Sequence, residues 1–200
     1  MTIALSIIRE EHRSLSAVVQ SLGILAREAR DRGLVPDYEL LTVILDYIEG
    51  FSNRFHHPKE DEYLFAALRR RCTEANQALE VLELDHARGD EMLRDLRYLL
   101  ARCRVGGAAA VDTFAAAVEE YVDSHWRHMR LEEDVVMPLA EQRLTEADWR
   151  PIDAAFQANE DPLFGARPRE EFRKLFRLIL NRAPAPVGVG PSRGAPEPRK

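Results

Sequence analysis

Cysteine is scarce in this 200-residue chain, with only Cys72 and Cys103 present. Neither has the spacing of a redox or zinc motif. Both fall near the ends of one expected helix, so an antiparallel bundle holds them apart. They read as free thiols in a reducing compartment, the cytoplasm. Long apolar runs are also missing. Nothing approaches the ~20 residues of a membrane span. The opening run to Ile8 is cut by Arg9-Glu10-Glu11 too early for a secretory signal. A basic surplus is absent: 28 Lys and Arg stand against 34 Asp and Glu, giving a formal net charge of −6 and a pI of about 5.6. That argues against nucleic acid as a partner and gives no support for docking on anionic membranes. No strand-like alternation and no dinucleotide-type glycine loop occur.

What remains is helical periodicity in a chain long enough for one domain with a substantial core. Leu5, Ile8, His12, Leu15, Val19, Leu22 and Ala26 recur at helical spacing and predict a helix over about 2–30. Gly33 and Pro36 end it, and Asp37 is placed to cap the next, over about 38–71. Pro58 lies inside that second helix and should remove one backbone bond and kink it. A third helix is expected over about 74–102 and a fourth over about 109–141, separated by Gly106-Gly107. Long helices with short connections imply antiparallel neighbours. The expected fold is all-α, an up-down-up-down four-helix bundle over 1–142. Two shorter helices follow over 143–182, led by Trp149, Ile152 and Phe156 and then by Phe172, Leu175, Phe176 and Ile179. They should pack together on one end of the bundle, where a homodimer contact could form. Asp161-Pro162-Leu163-Phe164-Gly165 reads as a turn between them. Residues 183–200, rich in Pro, Gly and Arg, read as a disordered tail without core residues.

The histidines fall on the apolar faces. At about 100° per residue, His128 and Glu132 share one face, and His125 joins it on the other side of Glu132. The same face carries Tyr121, Val118 and Phe114, then Val136 and Leu139. His56 and Glu60 repeat the i, i+4 spacing on the second helix. Unpaired polar groups on such stripes cost roughly 2–7 kcal/mol each by transfer, so something must compensate them. With a rise of about 1.5 Å per residue, measuring back from each turn places His12, His56 with Glu60, His86, and His128 with Glu132 at one height. Imidazole and carboxylate without thiolate suit iron, with manganese or zinc as substitutes. Four His and two Glu are too many for one tetrahedral ion and complement two adjacent metals. One division gives His12 and His56 to one metal and His86 and His128 to the other. His57 and His125 are candidates for an added ligand or a pocket role, Asp90 is a weaker ligand candidate, and Tyr121 could turn its hydroxyl to the metal pocket. Asp61, Glu62, Glu133 and Asp134 read as carboxylates that are solvated or orient imidazoles.

The order His12, then His56-His57-Pro58-Lys59-Glu60-Asp61-Glu62-Tyr63-Leu64-Phe65, then Asp85-His86, then His128-Met129-Arg130-Leu131-Glu132-Glu133 with Pro138 after it resembles the hemerythrin-like, or HHE cation-binding, family over about residues 1–142. The resemblance implies a four-helix bundle around a non-haem di-iron centre with an oxo or hydroxo bridge. It departs from the oxygen carriers of that family, whose third helix carries His-x3-His where this chain has His86 and Asp90, and whose fourth uses His-x4-Asp where this chain has His128 and Glu132. The pattern is closer to the iron-sensing domain of a ubiquitin-ligase subunit. The reading expected is a protein that binds O2 or NO, or senses iron or redox status. Two rivals stand beside it: a di-iron oxidoreductase that reduces peroxide, NO or O2, and a structural or interaction bundle with a vestigial site.

Overall fold

The computed structural model describes residues 2–158 and 168–190. Six helices run through them, and no strand occurs among the described residues. Helix α1 is Ile3–Asp31, α2 spans 38–71, α3 is Asn76–Arg102, α4 spans 107–143, α5 is Glu146–Gln157 and α6 is Pro168–Arg182. Helix α1 lies along α4, and α4 along α3, with α2 closing the bundle against α1 and α3. Asp37 caps α2, its side chain accepting from the Leu40 N–H at 3.1 Å. Positive φ at Gly33 and Gly107 turns the chain after α1 and into α4, a conformation in which a Cβ is strained.

The second and fourth helices are not uniform. In α2, Ile48–His56 and Glu60–Phe65 are π-helical. In α4, Glu132–Val136 is π-helical. The kink expected at Pro58 takes this form: the His57 N–H reaches the Ser52 carbonyl, five residues back. Wide turns of this kind insert an extra residue into the helix and re-aim the side chains beside it.

Two apolar clusters fill the bundle. One gathers Leu15, Leu22, Leu41, Ile44, Leu96, Phe114 and Val118 towards the end where α1 turns into α2. The other gathers Leu5, Ile8, Phe65, Leu68, Leu79, Leu82 and Val136 at the opposite end. The polar layer of the histidines falls between them in sequence on every helix.

The two C-terminal helices do not share one end, contrary to expectation. Trp149, Ile152 and Phe156 of α5 join the second cluster, while Ile179 of α6 joins the first. Phe172 packs edge-on against Phe51 and Tyr47, and Arg182 pairs with Asp37 and Glu39 at the start of α2. The turn expected at 161–165 lies outside the described residues, as does the tail from 191. Between 183 and 190 the expectation of no core residues fails: Ala183 is buried, and the Val189 and Gly190 N–H groups donate to the Leu180 and Ala183 carbonyls.

Candidate metal centre

Four helices each send an imidazole into the layer between the clusters. His12 comes from α1, His56 from α2, His86 from α3 and His128 from α4, and all are buried. Glu60 and Glu132, both 2% exposed or less, lie among them. Glu60 Oε1 is 3.2 Å from His56 Nε2 and 3.8 Å from His12 Nε2, while its Oε2 is 3.7 Å from His86 Nε2. Glu132 Oε2 is 3.2 Å from His12 Nε2, and its Oε1 is 3.3 Å from His128 Nε2. Each carboxylate thus turns one oxygen to His12 and the other to the opposite pair. His86 Nε2 and His128 Nε2 stand 3.2 Å apart.

The outer nitrogens are held from behind. His12 Nδ1 meets Glu133 at 2.8 Å, His56 Nδ1 meets Glu11 at 2.8 Å, His86 Nδ1 meets Asp61 at 2.9 Å, and His128 Nδ1 faces Asp85 at 3.6 Å. A carboxylate only accepts, so the Nδ1–H of His12, His56 and His86 donates and Nε2 is left pointing inward; at His128 the carboxylate of Asp85 stands beyond hydrogen-bond distance and acts through its charge. The pairs form a closed ring. Glu11 of α1 backs His56 of α2, Asp61 of α2 backs His86 of α3, Asp85 of α3 backs His128 of α4, and Glu133 of α4 backs His12 of α1. Every backing carboxylate is the chain neighbour of a central residue. Asp61 and Glu133 were expected in such a role; Glu11 and Asp85 were not, although their position beside His12 and His86 was the available signal.

The other candidates separate cleanly. His57 gathers with Glu60, His86 and His128 within ligand distance of one another, while His12, His56 and Glu60 form a second group. The π turn before Pro58 brings both His56 and His57 inward, which a regular α turn does not do. The His57 ring stacks on His86 at 3.9 Å between centroids, and its Nε2 meets Ser52 Oγ at 2.9 Å. His125 belongs to neither group; it lines a cavity of about 30 Å³ with Asn53, His57, Asp85, Tyr121 and His128. Tyr121 faces that cavity, one turn from His125. Asp90 is exposed and accepts from Asn53 Nδ2 at 2.6 Å. It does not reach the cluster: it lies exposed on α3, where the Asn53 side chain of α2 holds it.

A cation between these groups answers a problem the protein atoms leave open. His12 Nε2, Glu60 Oε2 and both Glu132 oxygens are buried without a hydrogen-bond partner. The carboxylate oxygens among them face imidazole nitrogens at 3.2 to 3.7 Å without a hydrogen bond. Nitrogen and oxygen donors without thiolate are the set that suits iron or manganese. The negative surplus of six surrounding carboxylates favours cations.

The same charges set the protonation of the cluster. Burial drives an imidazole towards neutrality, yet Glu132, Glu133 and Glu60 hold His12 well above 6.5. Against burial, Glu60 and Glu11 hold His56 at about 9, and Glu132, Asp85 and Glu60 hold His128 at about 10. Burial also opposes ionisation of Glu132, but His128 and His12 outweigh it and keep it well below the usual carboxylate range. Burial and neighbouring imidazoles push His57 well below 6.5 and His125 to about 3.

These directions predict the pH course of the metal-free bundle. The raised imidazoles add stability below 6.5 that is lost as pH climbs through about 9 to 10. The depressed His57 and His125 favour folding above 6.5, and that preference is lost as pH falls below it. Melting temperature in chelator should therefore peak near pH 6.5 and fall on both sides. Cation uptake at pH 7.5 should release protons, visible in calorimetry as a heat that depends on the buffer's own ionisation. Equal heats in phosphate and Tris would count against this protonation pattern.

The fold and this cluster define a cation-binding helical bundle. A family model described as the hemerythrin HHE cation binding domain matches residues 3–140, and the chain belongs to that family. Comparison with the curated proteins and with the solved structures gives no match. Among the described residues, no helix is long and apolar enough to cross a membrane.

Proposed function

We propose that this chain holds two iron ions in the buried layer and presents one of them to a small diatomic ligand, O2 or NO. His12 and His56 would hold the first ion, and His86, His128 and His57 the second. Glu60 and Glu132 would span both, with an oxo or hydroxo bridge completing the pair. The observation that carries the reading is the asymmetry of the layer. Each central carboxylate divides its oxygens between the two sides, and the side with His57, His86 and His128 has one imidazole more than the side with His12 and His56, so the position left open for a ligand would fall on the His12–His56 ion. Iron at such a place supplies reversible electron exchange with the ligand. The protein fixes the imidazoles by their backing carboxylates. The two cysteines, buried and unpaired in the structure, fit a reducing compartment such as the cytoplasm.

Metal analysis of protein purified without oxygen, followed by optical titration with O2 and NO, tests the proposal. The expected result is about two iron per chain and a near-ultraviolet charge-transfer band that changes reversibly with the ligand. Zinc or manganese in place of iron, or a single ion per chain, overturns it. Repeated turnover of peroxide, NO or O2 with a reductant would move the assignment to a reductase.

A further inference from the structure

One of the four backing carboxylates has a cation beside it. Lys59 Nζ stands 3.7 Å from Glu11 Oε1, while Glu11 Oε2 accepts from His56 Nδ1 at 2.8 Å. Among the described residues, Asp61, Asp85 and Glu133 have no lysine or arginine within ion-pair distance. The ammonium of Lys59 is held in a slot. It lies 4.0 Å from the centre of the Phe55 ring and 4.7 Å from that of the Phe156 ring, and its side chain is only 12% exposed. Ring faces attract an ammonium, and here two rings fix it next to Glu11. Phe55 sits one turn before Lys59 on α2. Phe156 is fully buried near the end of α5, a helix outside the stretch that the family model matches. The slot is therefore completed by the C-terminal extension.

A carboxylate behind a ligating imidazole makes that imidazole a stronger donor to a cation. A positive charge beside the carboxylate works against this, because it weakens the carboxylate's pull on the Nδ1 proton. His56 is then a poorer donor than His12 or His86, and a poorer donor favours ferrous over ferric iron. The effect falls on the side with fewer imidazoles.

We propose that Lys59, held between Phe55 and Phe156, is a positioning residue that raises the reduction potential of the His12–His56 ion by acting through Glu11. The inference rests on the two-iron reading above and adds the device that tunes the ion left open for a ligand. It also gives α5 a part in the metal chemistry, since Phe156 closes the slot.

The test uses the full chain loaded with iron, in wild type, Lys59→Met, Lys59→Arg, Glu11→Gln and the double variant Glu11→Gln with Lys59→Met, each titrated with reductant while the charge-transfer band is followed. Lys59→Met keeps the stem between the rings and removes the charge. The expected result is a midpoint lower by about 59 mV, a tenfold shift toward ferric iron for one electron. Lys59→Arg should stay close to wild type, with about two iron per chain in both variants. In the Glu11→Gln background the Lys59→Met shift should shrink, the coupling that a relay through the carboxylate requires. Equal midpoints in wild type and Lys59→Met overturn the role of Lys59 and leave the iron site standing. A full shift in the Glu11→Gln background overturns it as well, because the charge would then act without the carboxylate. Equal shifts in Lys59→Met and Lys59→Arg also count against it, since packing rather than charge would be responsible. Loss of iron in Lys59→Met does the same, because the residue would then be holding the site together. Failure of the wild-type chain to hold iron removes the two-iron reading and this inference together.

Discussion

Glu60→Ala should empty both cation positions, whereas His86→Ala should empty only one. The difference follows from where the atoms lie. Glu60 Oε1 serves the His12–His56 side and Oε2 the His86 side, so its removal takes a donor from each. His86 Nε2 contributes to one side alone. Metal analysis should give about two iron per chain for wild type, about one for His86→Ala, and well under one for Glu60→Ala; changes of even the orienting residues around a metal typically cost 10–100-fold in affinity. Glu60→Ala also leaves imidazoles that rely on a buried anion, and breaking such a pair costs about 3–5 kcal/mol. Circular dichroism separates a folded, metal-poor variant from an unfolded one. Glu60→Gln keeps the shape while removing the charge and should still lose metal on both sides. Equal iron in Glu60→Ala and His86→Ala would mean that the carboxylate does not span the layer.

The contrast between these variants rests on a layer whose height, but not whose shape, was readable from the chain. Counting residues back from Gly33 and Gly106 brings His12, His56, His86 and His128 level because a regular helix rises evenly. The same regularity hides the rest. A rotation of about 100° per residue leaves His57 off the face of Glu60, and only the π turns at Ile48–His56 and Glu60–Phe65 bring both histidines inward. Nothing in residue propensity announces a π turn; it exists because the side chains it presents find partners across the bundle. The backing ring was half visible. Asp61 and Glu133 stand next to central residues, and so do Glu11 and Asp85, but each supports an imidazole on a different helix, a pairing that only the packing of neighbours reveals. Asp90 shows the opposite error: a carboxylate at i+4 from His86 looks well spaced until α2 is in place and Asn53 claims it. The C-terminal helices were misplaced for a similar reason. An apolar stripe states that a helix docks, and the groove that receives it depends on surfaces the stripe does not encode.

Removing the metal should lower the melting temperature by about 8–16 °C at pH 7. The size follows from mass action and from the charges in the layer. A ligand present at a thousand times its dissociation constant adds about 4 kcal/mol to folding, and each kcal/mol moves the midpoint of a domain of this length by about 2–4 °C. Without a cation, the protonated His12, His56 and His128 balance Glu60 and Glu132, so the apo chain still folds and the loss is a shift of the transition. Differential scanning calorimetry with and without chelator measures it. The same scan on Glu60→Ala supplies the control, because a variant that no longer holds cations has nothing for chelator to remove, and its two curves should coincide. A bundle with a vestigial site behaves like that variant already, with one transition temperature in iron and in chelator. A wild-type curve that moves while the Glu60→Ala curve does not ties the stabilisation to the cluster and away from ions bound at the acidic surface.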